Sequence, residues 1–358
     1  MDRTLPIQEH VSLRDWTTFR VGGPARYFID LRSPDDLSRA FSFAATAGLP
    51  VFVLGGGSNL LVKDAGYHGL VLHMATSGWT VQSEDEHAVL LRVSAGEEWD
   101  TVAEYAVQNG WWGIENLSAI PGSVGAVPVQ NVGAYGQEVS DTIISVEAWD
   151  RQSAQWCALT PDQCAFGYRT SIFNTSALDR YVITHVTFRL QRNGTPNLSH
   201  ASVVDWLQRQ ACSQPSLADM RRAIIAIRTD GRLPDVHRTG NVGSFFKHAL
   251  LRSAELDAMR QKVAISLGPE IADQLYELGH RFKAGELHKL PAGALIQAAG
   301  AVGWREDQAV QHERNPLVLV NLDGTAHARD VIKLADRIRD CVIEKTGIEL
   351  SMEPRIVG

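Results

Sequence analysis

Two hydrophobic periods alternate along the 358-residue chain: short runs apolar at every second position, and longer ones apolar at three- and four-residue spacing. Trp16–Leu31, WTTFRVGGPARYFIDL, reads as a Gly-Gly-Pro turn followed by an alternating strand. Ser33-Pro34-Asp35-Asp36 supplies an N-cap, a first-turn proline and early acids. Leu37, Ala40, Phe41 and Ala44 then share one helical face that Gly48 closes. Val51-Phe52-Val53-Leu54 is a short apolar strand running directly into Gly55-Gly56-Gly57-Ser58-Asn59. A second unit opens with a strand at Val89–Val93 and a helix at Trp99–Gln108 closed by Gly110. It continues with strands at Ile143–Trp149 and Tyr181–Leu190, the latter alternating Val182, Thr184, Val186 and Phe188. After a break at Gly194-Thr195-Pro196-Asn197, Ser216 and Asp219 predict a capping box for a helix over Leu217–Ile227, with Leu217, Met220, Ile224 and Ile227 apolar. Pro291–Ala299, a strand-like Leu317–Asn321 and a helix over Val331–Lys345, stopped by Gly347, complete a third unit. No internal repeat appears.

Both periods lapse between Gly113 and Gly136, GIENLSAIPGSVGAVPVQNVGAYG. This stretch holds five glycines, Pro121, Pro128 and one charged residue, Glu115. A solvent loop of this length would carry more charge, and a buried helix would not tolerate so much glycine and proline. Two readings fit: a loop whose bare backbone approaches a cofactor, with Gln130, Asn131 and Tyr135 as neutral hydrogen-bonding groups, or a loop packed over a sheet. Gly55–Asn59 bears on the choice. Consecutive glycine N–H groups at a strand end form a concavity for phosphate oxygens, and Ser58 and Asn59 add side-chain donors. The spacing is neither a Walker loop nor GxGxxG. Taken together, the two loops favour a cofactor with a pyrophosphate and a ring.

Composition narrows the function classes. Net charge −7 argues against a general nucleic-acid binder. An anionic small ligand stays compatible if positive charge is gathered locally, as Arg228, Arg232, Arg238 and Lys247 would allow; the same group also reads as a solvated helix end. Cys157, Cys164, Cys212 and Cys341 lack metal-ligand spacing, so no metal site is expected and the thiols are expected reduced. MDRTLPIQEH lacks the apolar core of a signal peptide and no apolar run reaches bilayer length, so a cytoplasmic protein with no membrane partner is expected.

LGGGSNLL, ENLSAIPGSVGAVPVQNVGAYG, FGYRTSIF (Phe166–Phe173) and GNVGSFFK (Gly240–Lys247) occur in that order. With them the chain resembles the UDP-N-acetylenolpyruvoylglucosamine reductases, also called UDP-N-acetylmuramate dehydrogenases, over Trp16 to Gly358. The resemblance implies an α/β (α+β) fold class, with a vanillyl-alcohol-oxidase (PCMH-type) FAD-binding region over 16–213, made of α/β subdomains at about 16–85 and 86–213. A C-terminal α/β substrate-binding domain over 214–348 and a segment over 349–358 returning to the active site would follow. FAD is the implied cofactor and NADPH the co-substrate. Gly55, Gly56, Gly57, Ser58 and Asn59 would grip the FAD diphosphate. Pro121, Gly122, Ser123, Gly125, Ala126, Gln130, Asn131, Gly133 and Ala134 would line the flavin.

The implied reaction belongs to peptidoglycan precursor synthesis. Hydride passes from NADPH to flavin N5 and on to the enolpyruvyl β-carbon of the UDP-N-acetylglucosamine ether, and a proton to the α-carbon completes UDP-N-acetylmuramate. Negative charge builds on the α-carbon and its carboxylate, which calls for fixed positive charge and an acid. Arg169 matches the family's arginine, Ser244 its proton donor and Glu353 its third active residue. Locally the same three read as a surface arginine, a Gly-Ser turn before a buried Phe pair, and a solvated terminal charge. Pro354 follows Glu353, where the family has proline before the glutamate. Substrate contacts are implied for Arg228, Arg232, Lys247, His248 and His200. Arg232 stands where the family has lysine, His248 where it has asparagine, and His200 where one subclass has tyrosine. Gln297 and His312 read as structural. A monomer is expected, since nothing in the sequence demands an oligomer. Another FAD oxidase or dehydrogenase on the same fold is the alternative enzyme, and a flavin- or sugar-nucleotide-binding module without turnover the non-enzymatic one.

Overall fold

The structure, a computed structural model, describes residues 5–231, 233–236 and 238–358. Two compact units emerge, and neither is continuous in sequence. The first combines the chain up to Val11 with Ala25–Gly57 and Tyr67–Asp230; the second combines Ser12–Pro24, Ser58–Gly66 and Gly231–Gly358.

Two larger sheets shape the first unit. One has four strands in the order Ile7–Ser12, Pro24–Leu31, Tyr67–Met74, Val51–Leu54, with the last two each parallel to its neighbour in the series. Helix Leu37–Thr46 crosses between Pro24–Leu31 and Val51–Leu54. It starts as the sequence predicts: Pro34–Asp36 forms a 3₁₀ turn, and the Ser33 hydroxyl accepts from the Asp35 N–H. The other sheet is antiparallel, in the order Gln155–Leu159, Ile143–Asp150, Tyr181–Gln191, Ala88–Ser94, Trp79–Glu84. Helix Trp99–Gln108 has the predicted bounds, and Gly110 closes it at φ +76. One apolar core runs from Ile29, Leu31 and Leu72 through Val89, Leu91 and Trp99 to Val186 and Phe188. A small satellite core forms where Val203 and Leu207 of helix Ala201–Arg209 meet Met220 and Ile224 of helix Leu217–Arg228. Ser216 and Asp219 make the predicted capping box there.

In the second unit, helix Ala328–Thr346 buries Val331, Leu334, Ala335, Ile338 and Val342. It begins three residues before the apolar stripe, because His327 and Asp330 cap it, and it stops at Gly347 at φ +74. Helices Ser253–Ser266 and Pro269–Arg281 pack into the same core through Leu256, Met259, Val263, Ala272 and Leu275. Periodicity hides the first of these, because Ile265 in its last turn points to solvent, 87% exposed, and blurs the stripe. The C-terminal strand Arg355–Val357 pairs in parallel with Leu60–Val62, so the chain's end is built into the unit's fold.

Candidate functional site

In the first unit, strand Val51–Leu54 delivers Gly55, Gly56 and Gly57 to the loop that begins at Gly113. The Gly56 N–H donates to Ser123 Oγ at 3.3 Å. A Cβ on Gly56 would stand 2.7 Å from Gly122 Cα, and one on Gly55 2.4 Å from Ser123 Oγ. Only glycine permits that approach, and Gly57 and Gly122 use its positive φ as well, at +64 and +127. The Gly55–Gly57 turn and Gly122–Ser123 therefore form one continuous main-chain surface.

The rest of the cradle is held from behind. Trp99, fully buried, donates its indole N–H to the Leu117 carbonyl at 2.8 Å. The N–H groups of Val124 and Gly125 donate to the carbonyls of Glu97 and Ala95. Glu115 turns inward to accept from the Gly113 N–H and the Gln137 amide, and burial pushes its carboxyl above the usual range. Asn131 spends its amide on Glu138 and the Gly167 carbonyl and accepts from the Ser140 N–H. Asn131 is buried by these bonds, while Pro121, Gly122, Gly125, Ala126, Gln130 and Ala134 keep part of their surface exposed. Gly133–Ala134 and Gln137–Glu138 form a two-stranded hairpin whose turn residues, Tyr135 and Gly136, both have positive φ, +49 and +84.

Arg169 occupies a tight turn closed by reciprocal hydrogen bonds between Gly167 and Thr170, and it is itself left-handed at φ +54. Its Nη2 donates to the Gly133 carbonyl at 2.6 Å, which fixes the guanidinium at the edge of the cradle. Ser171 anchors the turn by donating to the Val129 carbonyl. Arg228 ends helix Leu217–Arg228 and donates from Nε to the Ala119 carbonyl at 3.0 Å. Its guanidinium also hydrogen-bonds Tyr135, and burial lowers its pKa from the usual value. His200, exposed, sets its ring edge-on to Tyr135 at 5.2 Å.

The second unit carries Ser58, Asn59, Ser244, Lys247, His248 and Glu353. An extended segment around Ser244–Lys247 lies between two others. Ser244 bridges to Val318 and the Phe245 N–H donates to the Leu317 carbonyl on one side. On the other, Phe246 bridges to Met352, and the N–H groups of Glu353 and Lys247 donate to the carbonyls of Phe245 and Ser351. The fully buried pair Phe245 and Phe246, with ring centroids 5.4 Å apart, anchors this segment in the core. Ser244 and Glu353 therefore stand on adjoining segments, and Asn59 Nδ2 donates to the Glu353 carbonyl at 3.3 Å. His248 Nδ1 accepts from the Ala292 N–H at 3.3 Å, which puts the proton of a neutral ring on Nε2 and ties the residue to helix Ala292–Ala298. Arg232 lies outside the described residues. Asp100, Ala119 and Arg221, which support the cradle, carry no motif that sequence reading could single out.

The cradle fits an FAD. Its close-packed glycines leave no room for a Cβ, its lining is neutral, and its one carboxylate, Glu115, is turned inward. Residues 25–156 match the family model described as "FAD binding domain", and 235–357 match "UDP-N-acetylenolpyruvoylglucosamine reductase, C-terminal domain". The chain is thus a flavoprotein oxidoreductase with a PCMH-type FAD-binding region and a C-terminal α/β domain, as the sequence implies. A reductase of that name from Pseudomonas fluorescens is 39% identical over 353 residues, covering 99% of both chains, and one from Pseudomonas aeruginosa is 38% identical over 354 residues, with the same coverage. The chain belongs to the UDP-N-acetylenolpyruvoylglucosamine reductase family. A crystal structure of the enzyme from Thermus caldophilus shares the fold, with TM-score 0.65 at 23% identity over 99% of this chain and 100% of that one. Among the described residues no helix is long and apolar enough to cross a membrane.

Proposed function

We propose that this chain uses NADPH to reduce the enolpyruvyl ether of UDP-N-acetylglucosamine to UDP-N-acetylmuramate, in the cytoplasm and as a monomer, for peptidoglycan precursor synthesis. FAD, when bound on the cradle, would supply the hydride chemistry that links NADPH to the substrate's β-carbon. The protein's part is to place charge and a proton. Arg169 offers a guanidinium that stays positive throughout and can meet the substrate carboxylate as charge builds there. Ser244 gives its hydroxyl proton to the α-carbon; a carbanion is basic enough to take a proton from so weak an acid if the two are held close. Glu353 completes the reactive set. Arg228, Arg232, Lys247, His248 and His200 would bind the UDP portion, the cations offsetting its diphosphate charge.

One observation carries this reading: Ser244 and Glu353, 109 positions apart, are fixed on adjoining segments of one unit with Asn59 of the glycine loop bonded to the Glu353 carbonyl. The test is a visible spectrum of the purified protein. Flavin absorbance should bleach on adding NADPH and return on adding the UDP-linked enol ether, with one lactyl ether formed per NADPH. A yellow protein that NADPH does not bleach would be a binding module, and one that bleaches without reoxidation by the ether would be a different flavoenzyme.

A further inference from the structure

Ala119 stands two residues before Pro121, where the chain enters the cradle, and it holds a left-handed conformation at φ +58. An L-residue with a Cβ resists that conformation, whereas glycine would not. Both polar groups of Ala119 are gripped by side chains from separate helices. Its N–H donates to Asp100 Oδ1 at 2.5 Å, and its carbonyl accepts from Arg228 Nε at 3.0 Å. Asp100, in the first turn of helix Trp99–Gln108, is itself held by both terminal nitrogens of Arg221, at 2.6 and 3.0 Å. The Arg228 guanidinium reaches Tyr135 as well, in the turn that ends the cradle. One side chain therefore joins the entry of the cradle to its exit. Asp100 prefers its charged form in this setting, because Arg221 and the Ala119 N–H outweigh the cost of burial.

We propose that Asp100 and Arg228 are positioning residues that clamp Ala119 in its left-handed state and thereby set the height of Pro121–Ser123 against the flavin. The proposal rests on the reading that FAD lies on this cradle. Freed from either grip, Ala119 relaxes to negative φ and swings the main chain that precedes Pro121. A glycine at this position would hold the turn with no clamp at all.

The test is a comparison of holoenzymes. In Asp100→Ala the FAD dissociation constant should rise roughly tenfold, as the loss of one charge-assisted hydrogen bond implies, and the midpoint potential of bound FAD should shift. Adding Ala119→Gly to that variant should recover much of the affinity and return the potential toward the wild-type value. Arg228→Lys, which cannot serve Ala119 and Tyr135 at once, should behave like Asp100→Ala and be rescued by the same glycine, so the question stays open to test if one variant fails to fold. A lowered melting temperature with unchanged FAD affinity and potential overturns the clamp, as does a glycine that restores stability alone. If the wild-type protein takes up no FAD, the cradle reading fails instead.

Discussion

The N–H of Glu353 donates to the carbonyl of Phe245 at 2.8 Å, so the last segment of the chain lies beside the residue that follows Ser244. Neighbouring hydrogen bonds extend the contact in both directions, from Lys247 to Ser351 and from Arg355 to Asn59. These bonds hold the main chain at Glu353 and use no N–H of either neighbouring position, 352 or 354. Pro354 has no N–H to give, and the pairing resumes at Arg355.

Ser244→Ala should separate the two halves of the proposed reaction. NADPH should bleach the flavin at the wild-type rate, whereas reoxidation by the enol ether should slow by about 10²- to 10⁴-fold. Stopped-flow absorbance reads both phases. Normal reoxidation would remove Ser244 from the mechanism.

Arg169→Lys keeps the charge but loses the fork that reaches the Gly133 carbonyl at 2.6 Å. FAD content should stay near one per chain while turnover falls by roughly 10²- to 10³-fold. The opposite result, flavin lost but normal turnover per bound flavin, would make Arg169 an anchor for the cradle alone.

Two glycine-to-alanine changes should act with opposite signs. At Gly56 the new methyl would meet Gly122 Cα at 2.7 Å and Ser123 N at 3.1 Å, backbone atoms that cannot swing aside. The cost should be about 1–3 kcal/mol together with loss of bound FAD. At Gly293, inside helix Ala292–Ala298, the nearest atom is Leu317 Cγ at 3.7 Å, and alanine should stabilise by about 0.5–1 kcal/mol. Denaturant melts and flavin absorbance check both.

Asp150 predicts an acid-dependent loss of stability. Arg180 reaches its carboxylate at 3.0 and 2.8 Å, with the Gln152 N–H and the Ser153 hydroxyl adding donors, and these hold the carboxyl well below the usual range. A carboxyl depressed in the folded state contributes stability above its unfolded pKa of about 3.9 and loses it as the pH falls toward the folded value. The advantage of wild type over Asp150→Asn should be full at pH 7 and shrink below about pH 4. Urea melts at pH 7, 5 and 3 would show it; an advantage independent of pH would mean that Asp150 acts through shape alone.

The sequence by itself determined what rests on local chemistry. Trp99–Gln108, the Ser216–Asp219 box and the Gly347 stop follow from apolar spacing, capping side chains and positive-φ glycine, all confined to a few neighbouring residues. The glycine-rich stretches announced a close backbone approach for the same reason, since no other residue tolerates it. Tertiary structure alone decided which distant segments meet. The approach of Gly56 to Gly122, the bonds from Glu353 to Phe245 and Asn59, and the grip of Asp100 and Arg228 on Ala119 join residues from 19 to 294 positions apart by close main-chain packing and hydrogen bonds. Their geometry depends on how the sheets and helices pack, and hydrophobic spacing holds no record of it. The same packing assigns Ser58–Gly66 to the second unit, through the pairing of Leu60–Val62 with the chain's last strand.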